Sequence, residues 1–125
     1  MPGFFPHLFA GCAVFVFGRY YFKDYFGGMD KYKERILLAV VCISFSIAPD
    51  FLLIIYYTFH MSRFVTFLYY HDIIHYLLFP ISIGGLLILK FKVNLKWRPI
   101  WIMGFLCILL HITMDSLIQE TGIWF

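Results

Sequence analysis

The sequence predicts an all-α fold in which about four helices cross a membrane as a single integral membrane domain. Of the 125 residues, 62% are hydrophobic and 22% aromatic, and only 14% are charged. This composition lies outside the range of soluble globular domains. The apolar residues form four stretches, each near or above the ~20 residues that a helix needs to cross a ~30 Å hydrocarbon layer. The predicted spans are 4–22, 36–59, 64–89 and 99–118.

The basic residues predict the orientation of these spans. Nine of the ten Lys and Arg residues fill or flank the first and third connectors, and Arg63 alone lies in the second. Because basic residues are retained on the cytoplasmic side, both termini are expected outside. The start MPGFFPHLF lacks the basic region of a cleavable signal peptide. The sequence thus predicts a multi-pass protein of the bacterial inner membrane, whose charge of +3 reflects orientation and not binding to nucleic acid.

The first two spans each contain a polar group that is unusual in apolar sequence. His7 lies near the outer end of span 4–22, and Asp50 lies within span 36–59. Asp50 is about nine residues from the end of its span, or ~13 Å deep at 1.5 Å per residue. A carboxylate near the bilayer centre costs ~2.5–3.5 kcal/mol, so it is expected to face a partner inside the bundle. Pro49 is expected to kink the helix and turn the carboxylate inward.

The third and fourth spans contain polar pairs at helical spacing. His71 and His75 are four residues apart, as are His111 and Asp115. Side chains at this spacing share a helix face with Cβ atoms ~5–6 Å apart, so each pair can share one ion. Imidazole and carboxylate together suit Zn²⁺, with Mn²⁺ or Fe²⁺ as alternatives, although a purely structural network remains open. The predicted metal ligands, all at a similar depth, are His7, Asp50, His71, His75, His111 and Asp115.

Three further groups of residues complete the sequence interpretation. Asp72 directly follows His71 and points to another part of the helix surface, so it is a candidate general base or capping group. Asp72 and His71 are the predicted catalytic residues. His60 lies in a connector beside Arg63 and is expected to be a solvated histidine outside the site. The three cysteines lie within apolar spans and are expected to pack as small residues without disulfides.

Four short motifs occur in order along the chain: His7-x-x-x-Gly11, Pro49-Asp50, His71-Asp72-Ile73-Ile74-His75, and His111-x-x-x-Asp115 followed by Gly122. This order resembles the bacterial membrane-bound metal-dependent hydrolases, a family of small multi-span proteins. The resemblance implies a helical bundle distantly similar to zinc-dependent phospholipase C and P1 nuclease, with metal held by His and Asp from several helices. Leu52 stands where the family commonly has a second Asp, which favours fewer ions or binding without catalysis.

Three classes of function remain open at this stage. The first is a membrane-embedded hydrolase that acts at the outer face on a phosphoester or lipid-linked substrate. The second is a non-catalytic metal-binding module that partners another membrane protein or a second copy of itself. The third is a haem-binding four-helix bundle, which the carboxylates beside the histidines disfavour. A proton or metal transporter is disfavoured because the polar groups cluster in one leaflet.

Overall fold

The chain folds into a bundle of helices, as the sequence predicts. The computed structural model describes residues 4–59, 62–91 and 97–118, and no strand occurs among them. The α-helices are α1 (Phe4–Tyr21), α2 (Lys23–Phe26), α3 (Tyr32–Ile47), α4 (Phe51–Phe59), α5 (Phe64–Phe91) and α6 (Arg98–Ile118), with 3₁₀ turns at Met29–Lys31 and Ala48–Asp50. The predicted all-α fold class is confirmed.

Among the residues that the structure describes, three helical segments are long and apolar enough to cross a membrane. They are Met29–Phe59, Val65–Phe91 and Arg98–Leu117, with mean hydropathies of 2.4, 1.8 and 1.8. At most 39% of the most hydrophobic part of any of them is buried inside the bundle. Their apolar outer faces therefore suit lipid better than water. The crossing of the membrane by α1, which is 18 residues long, stays a prediction.

The apolar core lies between α3 and α6, with α1 and α2 packed against it. Its buried members are Phe26, Leu38, Cys42, Ile100, Met103 and Cys107. Cys42 and Cys107 are free and buried, in agreement with the predicted packing role, whereas Cys12 is exposed. One helical turn beyond these two cysteines lie Ser46 on α3 and His111 on α6, both buried. The polar cluster therefore begins where the apolar core ends.

The long second hydrophobic segment is interrupted by a 3₁₀ turn. α3 ends at Ile47, the turn covers Ala48–Asp50, and α4 continues from Phe51. Pro49 occupies the start of this turn and is buried. Because proline has no N–H to donate, a break at this position is the expected response of the helix. The structure therefore has a helix break at the position where the sequence predicts a kink, and Asp50 lies at the junction between two helices.

Gly11 brings α1 and α3 into close contact beside this polar region. A Cβ atom on Gly11 would lie 2.5 Å from the Ser46 hydroxyl oxygen and 3.0 Å from the Cys42 carbonyl oxygen. A Gly11→Leu substitution is expected to destabilise the bundle by about 1–3 kcal/mol, because the α3 backbone cannot move aside locally. Thermal unfolding in detergent micelles measures this effect as a lower Tm.

The matched control for Gly11→Leu is Gly84→Leu on α5. A Cβ atom on Gly84 would have no heavy atom within 4 Å, so the added side chain meets open space. We expect this variant to unfold at the wild-type temperature. Equal Tm values for the two variants would show that close packing at Gly11 does not hold α1 against α3.

Candidate metal centre

The six side chains predicted as metal ligands lie together in the interior of the bundle. α1, the 3₁₀ turn, α5 and α6 each contribute to them. Their ligand atoms form two overlapping groups, each within 4.8 Å: Asp50, His71, His75 and Asp115 in one, and His7, His111 and Asp115 in the other. Asp115 belongs to both groups. The fold therefore brings together residues as far apart in the chain as His7 and Asp115.

Asp115 lies at the centre of the cluster and contacts three imidazoles. Its Oδ1 is 3.1 Å from Nε2 of His7. Its Oδ2 is 2.8 Å from Nε2 of His75 and 3.2 Å from Nε2 of His111. His111 and Asp115 share one face of α6, as their four-residue spacing predicts. Oδ1 thus faces an imidazole of α1, and Oδ2 faces one imidazole of α5 and one of α6.

Asp50 is the second carboxylate of the cluster and contacts imidazoles from three helices. Its Oδ1 is 2.9 Å from Nε2 of His71 and 3.4 Å from Nε2 of His111. Its Oδ2 is 3.6 Å from Nε2 of His7. The carboxylate that is most expensive to place in a membrane is therefore surrounded by imidazoles, as its depth in the sequence predicts.

Three of the imidazoles contact a second partner through Nδ1. Nδ1 of His111 donates to the Ser46 carbonyl at 2.6 Å, and Nδ1 of His75 donates to the His71 carbonyl at 3.0 Å. Nδ1 of His71 lies 3.3 Å from Oδ1 of Asp72. A carbonyl can only accept, so the hydrogen-bond network assigns a proton to Nδ1 in the first two rings. Such outer partners orient the ligands in protein metal sites.

With the proton on Nδ1 of His75 and His111, the two unprotonated Nε2 atoms face each other at the centre of the cluster. Nε2 of His75 and Nε2 of His111 are 3.2 Å apart, and neither carries a proton when the ring is neutral. Both also face the Asp115 carboxylate. Buried lone pairs and negative charge in this arrangement require positive charge between them, either a cation or added protons. A divalent ion balances two carboxylates, so the donor set fits a metal such as zinc.

The cluster is shielded from its surroundings on most sides. The side chains of His7, His71 and His111 are 1% exposed, whereas those of Asp50, His75 and Asp115 are 16%, 12% and 9% exposed. The partly exposed ligands therefore come from the 3₁₀ turn, α5 and α6.

Asp72 lies outside this group of six. Its side chain is 50% exposed, and its contact with the cluster is through Nδ1 of His71. His71 itself lies within the cluster. The two predicted catalytic residues are thus adjacent, with Asp72 on the outer side of the imidazole. The general-base role assigned to Asp72 stays a prediction.

Some residues that the sequence analysis singled out lie away from the cluster or outside the described residues. Leu52, at the position of the second Asp in the resembling family, lines an apolar cleft with Phe67 and Tyr70. His60 and Gly122 lie outside the residues that the structure describes. Ser46 was not among the predicted site residues, because a backbone carbonyl that orients an imidazole has no sequence signature.

The fold and the site define the chain as an all-α membrane bundle with a buried histidine–aspartate cluster. Comparison with protein-family models found no matching family, and comparisons with curated proteins and with solved structures found no significant match. The interpretation of the cluster therefore rests on its geometry. The resemblance to membrane-bound metal-dependent hydrolases stays a hypothesis.

Proposed function

We propose that this protein is a membrane-embedded metal-dependent hydrolase that acts on a phosphoester or lipid-linked substrate. The observation that carries the proposal is the close approach of imidazole Nε2 atoms and carboxylate oxygens in two overlapping groups inside the bundle. Hydrogen bonds from Nδ1 of His75 and His111 to backbone carbonyls leave those Nε2 atoms free to bind a cation. Zinc is the ion that best suits mixed nitrogen and oxygen ligands, and Mn²⁺ or Fe²⁺ are alternatives.

The ligand set has more members than a mononuclear catalytic zinc site needs. Such a site uses three protein ligands and keeps one position open. The first of the two overlapping groups supplies Asp50, His71, His75 and Asp115. His7 and His111 form the second group together with Asp115, so the set can hold one ion with spare acid–base groups, or two ions that share Asp115. A divalent ion held by these residues would supply Lewis acidity toward a phosphoryl oxygen and would lower the pKa of water.

The side chains around the ligands have separate roles in this proposal. Asp72 accepts the Nδ1 proton of His71 and thereby makes that imidazole a better ligand. Because half of Asp72 is exposed, its second carboxylate oxygen can take a proton from the side that substrate approaches. Burial of His7, His71 and His111 excludes water and strengthens electrostatic interactions within the centre.

Two alternatives remain beside the hydrolase. The first is a non-catalytic metal-binding module that partners another membrane protein. Leu52, which stands where the resembling family has an Asp, favours this alternative. It predicts bound metal without turnover. The haem-binding bundle fits less well. Each of the four clustered imidazoles has a carboxylate oxygen between 2.8 and 3.2 Å from its Nε2 atom, whereas an axial haem ligand directs this atom at iron.

Metal analysis tests the proposal directly. We expect the purified protein to retain about one zinc-like ion per chain, or two if both overlapping groups are filled. Inductively coupled plasma mass spectrometry measures the stoichiometry after dialysis against metal-free buffer. Protein that contains no stoichiometric transition metal, and takes up none on titration, would leave only a protonated His–Asp network. Retained metal with no hydrolysis of phosphoester substrates would favour the non-catalytic module.

The location of the site is part of the same proposal. We propose an inner-membrane protein with four spans and both termini outside, because nine of the ten basic residues lie in or beside the first and third connectors. Single cysteines introduced at Ser62 and Asn94 in a cysteine-free background test this orientation. An impermeant maleimide applied to intact spheroplasts is expected to label position 62 and not position 94. The reverse pattern would place the metal centre near the cytoplasmic face.

A further inference from the structure

A cleft between α5 and α6 leads from the outside of the bundle to the metal centre. It has a volume of about 360 Å³, and its inner end is formed by three of the proposed ligands, His71, His75 and Asp115. His75 and Asp115 are two of the partly exposed ligands. The cleft is therefore a route by which a molecule outside the bundle reaches the centre.

The α5 side of the cleft changes from polar to apolar along the helix. Asp72, Tyr76 and Phe79 all line it, and their spacing of four and three residues puts them on one helix face. The distance from Asp72 to Phe79 is ~10 Å along the axis at 1.5 Å per residue. Phe79 lies near the middle of the 28-residue helix, whereas Asp72 lies nearer its start. The polar end is thus nearer the membrane surface and the apolar end nearer the bilayer centre.

The α6 side of the cleft contributes hydroxyl groups and one apolar side chain. Thr113 and Ser116 are exposed, and their hydroxyls donate to carbonyls of their own helix. Their remaining lone pairs can accept hydrogen bonds from a polar head. Ile112 completes the apolar lining, and no lysine or arginine occurs among the described residues that line the cleft. Because Asp72 has no basic neighbour among the described residues of this lining, its negative charge disfavours a lipid head group with net negative charge.

We propose that this cleft is the lateral entrance for a phospholipid whose head has no net negative charge. This inference rests on the proposed function and specifies its substrate. The phosphoester reaches the metal centre at His75 and Asp115, and a positively charged or neutral head group lies beside Asp72. One acyl chain follows the face of Tyr76 and Phe79 toward the bilayer centre. The lipid enters sideways from the membrane and does not have to leave its leaflet.

Photolabelling in vesicles tests this entrance. The zinc-loaded protein is reconstituted in phosphatidylcholine vesicles that contain phosphatidylethanolamine with a diazirine midway along one acyl chain. Mass spectrometry then locates the label. We expect Tyr76, Phe79 and Ile112 to be labelled at least threefold more than Leu77 and Ile81. Those two residues are exposed on α5 at a similar depth but do not line the cleft.

A substitution that fills the cleft provides the second measurement. Thr113→Trp is expected to remove the excess labelling of the cleft residues while bound zinc is retained. The matched control is Leu117→Trp, because Leu117 is exposed on the same helix but does not line the cleft. This control is expected to be labelled like the wild type. A probe with an anionic phosphatidylglycerol head should label the cleft more weakly, and equal labelling would overturn the assignment of the head group.

The results separate this inference from the proposed function. Cleft residues labelled no more than Leu77 and Ile81, or equal labelling with and without Thr113→Trp, would overturn the lateral entrance and leave the metal centre intact. Bound zinc without hydrolysis of any phosphoester would overturn the hydrolase proposal. Excess labelling in the cleft would then still support a lipid-binding entrance.

Discussion

Asp115→Asn is expected to abolish stoichiometric zinc binding while the bundle stays folded. Asp115 contacts the Nε2 atoms of His7, His75 and His111 and belongs to both overlapping ligand groups. Asparagine has nearly the same shape, so packing is preserved, but it lacks the charge that offsets a divalent cation. We expect the loss of affinity to exceed the ~10–100-fold that removal of an outer partner of a ligand typically causes.

Zinc titration followed by calorimetry, with the protein in detergent micelles, measures this loss. Asp72→Asn is expected to have an intermediate effect and to weaken zinc binding only ~10–100-fold, because Asp72 acts through His71. Asp30→Asn is the neutral control, since Asp30 is exposed in a connector. Asp50→Asn is expected to behave like Asp115→Asn. If Asp115→Asn binds zinc as tightly as Asp30→Asn does, the carboxylate has no ligand role.

His111→Ala is expected to lose both metal binding and stability. The ring is buried, stacks on His7 with centroids 3.8 Å apart, and donates to the Ser46 carbonyl. Its removal leaves that buried carbonyl without this donor, a change that costs about 1–3 kcal/mol. It also removes an imidazole whose Nε2 atom is within 3.4 Å of an oxygen of Asp50 and of Asp115. Thermal unfolding without metal and zinc titration measure the two losses separately.

Two further variants separate ligation from packing at this position. His111→Gln can still donate to the Ser46 carbonyl but replaces the imidazole nitrogen with an amide, so we expect zinc binding to fall more than stability. His75→Ala is expected to lose zinc with a smaller fall in Tm, because Nδ1 of His75 bonds within its own helix. If His111→Gln binds zinc normally, His111 orients α3 against α6 without binding metal.

The helical part of this architecture could be predicted because it depends on local properties. The hydrophobic content of each stretch predicts its helix, and Pro49 predicts the break that separates α3 from α4. α3 begins at Tyr32, ahead of the apolar stretch. The charged residues of the connector allow this first turn of the helix to be exposed to solvent. Helical spacing likewise predicted that His111 and Asp115 would face the same point, since residues four apart share a face.

The sequence by itself determined the helices, the polar pairs and the six-residue candidate set, because these follow from hydrophobicity and from the 3.6-residue period. Only the tertiary structure decided which nitrogen meets which oxygen. The bond from His111 to Ser46 joins residues 65 positions apart, and the close contact at Gly11 depends on how α1 packs on α3. The position of Asp72 outside the cluster, and the cleft beside it, also depend on how α5 packs on α6. Packing between helices depends on the shapes of two surfaces at once, and no local pattern in the chain records such a match.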